Sequence, residues 1–248
     1  MARIGSRLKL DSNTLCGAPG STTAITNNED LMSINNCTIL QGSLYVQAEV
    51  NPVDASLNLP STLHTITGGL VCNGSNLQNS PTTIHAPALT TIASDQNDTS
   101  VLTVLGFAIT NYINLTTLSF PNLIQVGSDF IVTKNPVLRN MEGFPSLETV
   151  QGSIQISGMI YSLEFPNLDS VKGNVDIESS ATNFTCPVLN LQGSVEAHGG
   201  NFTCVGNVTQ TNTNQSTSAT VGVPSPSSFK SAAHKKAEIH SKSLSQLR

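Results

Sequence analysis

The residues best placed for chemistry are three carboxylates in the C-terminal half of the chain, Asp176, Glu178 and Glu196. Cleavage of a polysaccharide needs two carboxylates about 5–10 Å apart, and neighbouring β-strands lie about 4.8 Å apart. Asp176 and Glu196 hold equivalent positions in two successive sequence units, and Glu178 falls at a strand end. The chain has no Trp and only three Tyr to form a sugar platform. A polysaccharide-cleaving enzyme is therefore the less favoured alternative.

Other catalytic and metal-binding motifs are absent from the sequence. It contains no HExxH, GxSxG, Walker-type loop or GxGxxG motif, and no CxxC pair with zinc spacing. The five histidines are scattered, and His198 is predicted to lie in a turn. We therefore expect no catalytic residue, no cofactor and no metal site.

Four of the five cysteines bracket the two ends of the region that we expect to be ordered. Cys16 and Cys37 enclose its first short segment, and Cys186 and Cys204 enclose its last. A disulfide across each bracket would close a loop of about 20 residues and stabilise an end by about 3 kcal/mol. The alternative is four unrelated buried thiols.

Eight Asn-x-Ser/Thr sequons are candidate N-glycosylation sites, somewhat more than chance supplies at this composition. They lie at Asn36, Asn73, Asn97, Asn114, Asn183, Asn201, Asn207 and Asn214.

The composition favours β-structure with an uncharged surface. Charged residues make up 11% of the 248 positions, against about 25% in ordinary soluble proteins, while Ser, Thr and Asn number 30, 27 and 24. With 38% apolar residues the chain resembles neither a disordered protein nor a coiled coil. The net charge of -5 excludes a whole-chain nucleic-acid binder, and basic residues cluster only at the two ends.

Neither a secretory signal peptide nor a transmembrane segment is predicted. The first 16 residues, MARIGSRLKLDSNTLC, contain no apolar run, and the C-terminus is basic and polar where a lipid-anchor signal would be hydrophobic. The sequence therefore predicts no leader and no anchor, whereas the cysteine brackets and sequons favour an extracellular protein.

A short phrase repeats along the chain as FPNL, FPSL, FPNL and CPVL, with Pro at 121, 145, 166 and 187. Intervals of 24, 21 and 21 residues are typical of solenoid coils. A Gly follows each Pro after six or seven residues, and a short alternating run, typical of a strand, follows each Gly. Weaker copies include QGSLYVQ, GGLVC, APAL and, at 101–105, VLTVL.

Alignment of these units predicts two inward columns and one outward column of side chains. The inward columns are Leu44, Leu70, Phe130, Ile154, Val175, Val195 and then Val46, Cys72, Val132, Ile156, Ile177, Ala197. Cys72 is therefore predicted to be a free thiol in the core. The outward column is a solvated sheet face or a ligand-facing surface: Tyr45, Val71, Thr103, Ile131, Gln155, Asp176 and Glu196.

The two ends of a solenoid need covers, because an end coil exposes its core and its strand edge. At the N-terminus, ITNNEDLMSINNC predicts a short helical cap that begins at Asn27 or Asn28. The Cys186–Cys204 loop is expected to cover the other end. We predict an unstructured segment at 1–13, the solenoid at 14–206, and a Ser/Thr-rich stalk with a basic disordered tail at 207–248.

The order of these features resembles the receptor L-domain-like proteins of fungal cell walls, a GPI-anchored cell-wall organisation family also linked to sporulation. The likeness covers residues 14–206: Cys16, TTAIT, a short helix, Cys37, LQGSLYV, the repeated FPxLxxVxG phrase and a closing FTC…FTC pair. It implies a right-handed β-solenoid at the cell surface, glycosylated, needed for wall integrity and without catalytic residues. The chain departs from the family in lacking its signal peptide and anchor signal.

These observations predict an all-β, right-handed solenoid of coils of about 21–27 residues, related to leucine-rich repeats. Its expected function is non-enzymatic, at the cell surface or in the cell wall, with wall polysaccharide or surface proteins as candidate partners. A carbohydrate- or protein-binding adhesive module is the alternative. A true leucine-rich-repeat recognition protein is less favoured, since only Asn135 in FIVTKNPVL could begin an asparagine ladder.

Overall fold

The computed structural model describes residues 14–47, 56–74, 79–94, 106–186, 195 and 198–206. The segments predicted at 1–13 and 207–248 lie outside this range. The chain begins with a long strand β1 (Leu15–Ile25), a helix α1 (Asn28–Ser33) and a strand β2 (Ile39–Val46). The other described strands, in chain order, are β3 (Ser56–Asn58), β4 (Thr65–Ile66), β5 (Leu70–Asn73), β6 (Thr83–His85), β7 (Thr91–Ile92), β8 (Phe107–Thr110), β9 (Thr117–Ser119), β10 (Gln125–Val126), β11 (Phe130–Thr133), β12 (Asn140–Met141), β13 (Thr149–Val150), β14 (Ile154–Gly158), β15 (Ser162–Leu163), β16 (Ser170–Val171), β17 (Val175–Ser179) and β18 (Phe202–Gly206).

Every pairing among these strands is parallel, and each strand pairs with its counterparts in neighbouring coils, so the fold is a β-solenoid of about seven turns. The first face is built from the start of β2 and from β4, β7, β10, β13 and β16. The second face is built from the end of β2 and from β5, β8, β11, β14, β17 and β18. The third face comprises the sheet β3–β6–β9 and the pair β12–β15, which packs beside β9.

Strand β2 shows how one coil turns from the first face to the second. Its residues Ile39 and Leu40 pair with β4, whereas Leu44–Val46 pair with β5. Between them Gly42 has φ +82°, a conformation that a residue with a Cβ rarely adopts. In later coils the corner Gly is required by crowding instead, since a Cβ on Gly173 would lie 2.7 Å from the carbonyl carbon of Gly152.

The core consists of the predicted inward columns, joined by aromatic side chains from the repeated turns. Leu44, Leu70, Phe130, Ile154 and Val175 are buried and in register, as predicted. The phenylalanines of the FPxL turns meet those of the second face, and the core cluster contains Phe107, Phe120, Phe130, Phe144 and Phe165 with ring centroids 4.6–6.0 Å apart. Stacked and edge-to-face pairs of this kind add to the free energy of burial.

Small polar side chains join successive coils along the row of FPxL turns. The variable position of each turn donates a hydrogen bond to the Pro carbonyl of the coil before it. The three bonds measure 2.6–2.7 Å and run from Asn122 to Pro87, from Ser146 to Pro121 and from Asn167 to Pro145. The turn positions thus hold Asn or Ser because those side chains can reach the next coil.

A second set of bonds of the same kind follows the corner between the first and second faces. There a side chain of one coil accepts a hydrogen bond from a backbone N–H of the next: the pairs are Ser43 with Gly69, Asp129 with Ser153, Ser153 with Asn174, and Asn174 with Asn201. The distances are 2.8–3.1 Å. Backbone groups that a corner leaves outside the sheets are satisfied in this way.

Two coils differ from the predicted repeat. The step from Leu70 to its partner Phe107 is 37 residues, longer than the predicted 21–27, and the strand there is FAIT at 107–110 rather than VLTVL. At the C-terminal end, β17 pairs with Phe202–Gly206, whereas Val195 is buried and has a helical backbone. The placement of Val195 in the strand column is therefore wrong, and Ala197 lies outside the described residues.

Both predicted disulfides are present, one linking Cys16 with Cys37 and the other Cys186 with Cys204. The helix is also present: Asn27 is its N-cap, and its Oδ1 accepts a 2.9 Å bond from the N–H of Asp30. Ile34 is buried, and Leu31 packs against the core. That this helix covers the end of the solenoid stays a prediction.

Asn135 is a buried amide that connects two coils and is 2% exposed. Its Oδ1 accepts a 3.0 Å bond from the N–H of Tyr112, and its Nδ2 donates a 3.0 Å bond to the carbonyl of Ile109. Both backbone partners belong to the preceding coil, so this one side chain satisfies two groups that lie away from water.

Replacing Asn135 is expected to cost far more stability than replacing an exposed inter-coil amide. Asn135→Ala leaves the N–H of Tyr112 and the carbonyl of Ile109 buried without partners, which should lower the free energy of unfolding by about 2–5 kcal/mol. Asn122→Ala removes one exposed bond and should lower it by about 1 kcal/mol. Urea unfolding of both variants measures the difference. Equal losses in the free energy of unfolding would show that the burial of Asn135 does not determine how much stability the substitution removes.

Candidate functional site

The carboxylate pair on which the enzyme alternative depends is not formed by the strand register. Asp176 lies between Gln155 and Thr203 on its neighbouring strands, so Thr203 holds the place predicted for Glu196. Glu196 lies outside the described residues. Glu178 follows two residues after Asp176 on β17 and pairs with Ser157 and Val205. The predicted strand register of Glu196 with Asp176 is therefore wrong, and the proximity of the two carboxylates stays a prediction.

The outward column of the second face is buried at its N-terminal end. Tyr45, Val71 and Ala108 are only 6, 3 and 2% exposed and form a small apolar cluster against which Ile131 packs. The prediction that Tyr45 and Val71 face solvent is therefore wrong. Ala108, and not Thr103, is the residue in register, and Thr103 lies outside the described residues. Gln155, Asp176 and Thr203 continue the column as half-buried or exposed polar residues.

A chain of polar contacts runs across the end of the second face beside this cluster. Asn73 donates from Nδ2 to the hydroxyl of Tyr45 at 3.5 Å, and Asn111 donates from Nδ2 to Oδ1 of Asn73 at 3.1 Å. Burial raises the pKa of the Tyr45 hydroxyl. The amide of Asn73, a sequon residue, is thus bonded on both sides.

The remaining described sequons lie open to solvent. Asn36, Asn114, Asn183 and Asn201 are exposed, whereas Asn73 is half-buried. Asn97, Asn207 and Asn214 lie outside the described residues. Glycosylation of any of them stays a prediction, and the structure makes Asn73 the least suitable of the five described sites.

The third face is a polar surface that the sequence analysis did not identify. Its outward side chains come from three-residue strands in which one apolar residue is flanked by two polar ones. In register they form the columns Ser56, Thr83, Thr117 and Asn58, His85, Ser119, continued on the neighbouring pair by Asn140 and Ser162. His85 Nδ1 lies 2.9 Å from Oγ of Ser119. The tripeptides SLN, TIH and TLS carry the polar–apolar–polar alternation of a strand, but in a sequence such short strands cannot be told from loops.

One exposed aromatic residue stands at the C-terminal end of this face. The ring of Tyr161 is 44% exposed, and the guanidinium of Arg139 lies 5.7 Å from its centroid. Arg139 donates from Nη1 to the carbonyl of Met159 at 3.4 Å, and the Tyr161 hydroxyl lies 3.8 Å from the sulfur of Met159. Beside the ring, Ser162 donates to a carboxylate oxygen of Glu142 at 2.5 Å.

A shallow groove of about 350 Å³ lies between the row of turns and the first face. Pro87, Ala88 and Ile124 give it an apolar floor, with His64 and Thr90 at its side. The polar groups that line it are already bonded, because Asn122 and Ser146 donate to Pro carbonyls and Thr90 donates to the carbonyl of His64. The groove is therefore a concave surface with few polar groups that could form hydrogen bonds to a ligand and orient it.

Neither a metal site nor a membrane-spanning helix is found among the residues that the structure describes. No three His, Cys, Asp or Glu side chains there could hold a metal ion together. No helix within the described ranges is long and apolar enough to cross a membrane. Cys72 is a free thiol, fully buried in the inward column between Val46 and Ile109.

Cys72 is expected to be unreactive in the folded protein. Burial raises the pKa of its thiol to about 12, so at pH 8 it is protonated as well as enclosed. A thiol reagent should label the native protein negligibly over an hour, and should label one thiol per chain after unfolding without reductant. Rapid labelling of the native protein would contradict the buried placement.

The stability of the protein is expected to depend on the ionisation of Asp176. Partial burial raises the pKa of its carboxyl, so the folded state holds the proton more tightly than the unfolded chain does, and stability falls as the pH rises through these pKa values. Asp176→Asn should therefore be more stable than the parent at pH 7, with a difference that disappears in acid. Urea unfolding at several pH values measures this.

Gln155→Glu provides the opposite change at the neighbouring position. It places a second carboxylate beside Asp176, in the adjacent strand, and should destabilise the protein at pH 7 but not in acid. If each variant changed the free energy of unfolding by the same amount in acid as at pH 7, ionisation at this position would not be the cause.

One comparison with known proteins bears on this architecture. A family model described as the Receptor L domain matches residues 36–143, which run from just before β2 to the turn after β12 and include β5, β8 and β11 of the second face and all of the third face except β15. No solved structure matches the chain significantly. The matched segment is thus similar to receptor L domains, a family of non-enzymatic ligand-binding modules at the cell surface.

Proposed function

We propose that this protein is a non-enzymatic, ligand-binding module of the fungal cell surface that contributes to the organisation and integrity of the cell wall. The observation that carries the proposal is the rigid solenoid itself. Parallel coils joined by inter-coil bonds present surfaces such as the third face, where uncharged polar side chains form columns in register. Such faces suit recognition or scaffolding, since they offer many weak contacts and no reactive group.

The covalent structure supports an extracellular location. Disulfides persist in oxidising compartments and are rare in the cytosol, and this chain has one at each end of the described solenoid. Four exposed sequons on the described surface are compatible with passage through the secretory pathway. The match to the Receptor L domain supports the same location.

The finer placement in the fungal wall is supported by the order of sequence features. The Cys16–Cys37 bracket, the LQGSLYV strand, the repeated FPxL turns and the closing Cys186–Cys204 bracket resemble the fungal cell-wall organisation family. Each of these features has a structural role here, as a disulfide, a corner strand or an inter-coil contact. Their order is therefore a property of the whole fold and not of one motif.

Deletion of the gene is expected to weaken the wall. A deletion strain should grow several-fold less well than its parent on a wall-perturbing dye, and the intact gene should restore growth. Unchanged growth under several wall stresses would count against a role in wall integrity.

The purified protein is expected to have no hydrolytic activity. Incubation with β-glucan, chitin or pectin should release no reducing ends above a blank. Turnover that is lost in Asp176→Ala would instead restore the enzyme alternative, and Asp169→Ala, at an exposed carboxylate on another face, serves as the matched control.

A further inference from the structure

We propose that the surface around Tyr161, at the end of the third face, is a binding site for a neutral polysaccharide. This inference rests on the proposed surface function and names a site and a ligand class for it. The site consists of the Tyr161 ring, Met159 and Arg139 beside it, and the outward side chains of Asn140 and Ser162.

The exposure of Tyr161 distinguishes it from every other aromatic side chain in the described residues. The other large aromatic residues there are buried, apart from the half-buried Phe202. Tyr161 is 44% exposed, and the neighbouring Met159 is 38% exposed. Leaving apolar surface in water is unfavourable by about 25 cal/mol per Å², and an aromatic ring is a large part of such surface. Exposed apolar residues such as Ile113, 54% exposed, occur elsewhere on the described surface, so the exposed aromatic ring, and not apolar exposure as such, points to a contact surface.

The ring is also held in position before any ligand arrives. The N–H of Tyr161 donates to the carbonyl of Arg139 at 2.7 Å, which fixes its backbone to the preceding coil. The guanidinium of Arg139 lies against the ring and is itself bonded to the carbonyl of Met159. A ring restrained in this way loses little conformational entropy on binding.

The surroundings of the ring indicate the chemistry of the ligand. Asn140 and Ser162 lie opposite each other on β12 and β15, and supply an amide and a hydroxyl. Glu142, bonded to Ser162, and Glu164, at the equivalent position of the next coil, outnumber the guanidinium of Arg139, so the site has a net negative charge. A sugar unit has an apolar C–H side that stacks on an aromatic ring and a rim of hydroxyls that bond to amides, hydroxyls and carboxylates. The two carboxylates disfavour a polyanion, so the preferred chain is neutral.

The third face continues the site along the solenoid axis. Thr83 and Thr117 lie in register on β6 and β9, and neighbouring strands are about 4.8 Å apart. That spacing is close to the length of one sugar unit in an extended β-linked chain. A polysaccharide laid along this face would meet one polar side chain per sugar, with the Tyr161 ring as its anchor.

The test is binding of the full-length protein to insoluble β-glucan, with pectin as the polyanionic comparison. Tyr161→Ala should weaken binding to β-glucan about 10-fold or more, as truncation of an aromatic anchor does, while Tyr161→Phe keeps most of the affinity. Ile113→Ala is the matched control, because Ile113 is 54% exposed and belongs neither to this site nor to the groove. All three variants should unfold at the parent's temperature, since each altered side chain is exposed.

Each outcome of this experiment separates the site from the proposed function. Binding that is unchanged in Tyr161→Ala overturns the site and leaves a polysaccharide-binding surface elsewhere. Failure of the parent to bind β-glucan, or equal binding to pectin, overturns the ligand class. Neither result removes the wall phenotype of the deletion strain, which tests the proposed function independently.

Discussion

The whole structure depends on the parallel pairing of each coil with the next. A coil of this protein has no core of its own, because the inward side chains of a single coil cover only one layer of the interior. Stacking at the strand spacing of about 4.8 Å turns single residues into continuous columns, and it aligns the corners and turns as well as the strands. Every feature described above, from the phenylalanine cluster to the ladders of small polar residues, is a consequence of that alignment.

The many Ser, Thr and Asn residues have a structural role in this stacking. Their number favoured an uncharged surface, yet a considerable share of them bonds one coil to another. Asn122, Ser146 and Asn167 bond to the Pro carbonyls of the turns, and Asn135 satisfies two buried backbone groups. Long charged side chains are poorly suited to these positions, because a short amide or hydroxyl reaches the neighbouring backbone group directly. Low charge is thus partly a requirement of the stacking.

Much of the fold could be predicted from the sequence because the repeat is periodic where the coils are regular. The inward columns from Leu44 to Val175 and the corner glycines follow from that periodicity, and both disulfides follow from the cysteines that bracket the two ends. The prediction failed where a coil is long, as between Leu70 and Phe107, and at Val195, which is helical although the alignment placed it in a strand. Alternation separates the inward from the outward side chains of a strand, but it does not show whether other residues cover the outward ones. The burial of Tyr45 and Val71 was therefore missed. Tyr161 was missed because a single aromatic residue carries no periodic signal.

The positions of the two disulfides decide how the solenoid bears mechanical load. A pull on the chain ahead of Cys16 passes through the Cys16–Cys37 bond directly to the start of β2, so most of β1 and all of α1 carry no tension. A pull beyond Cys204 passes to Cys186 in the same way, and the segment between them is bypassed. The end coils, which would otherwise peel away first, are covalently shielded from force. The first structure to resist extension is the stacked interior, where each strand is bonded on both sides.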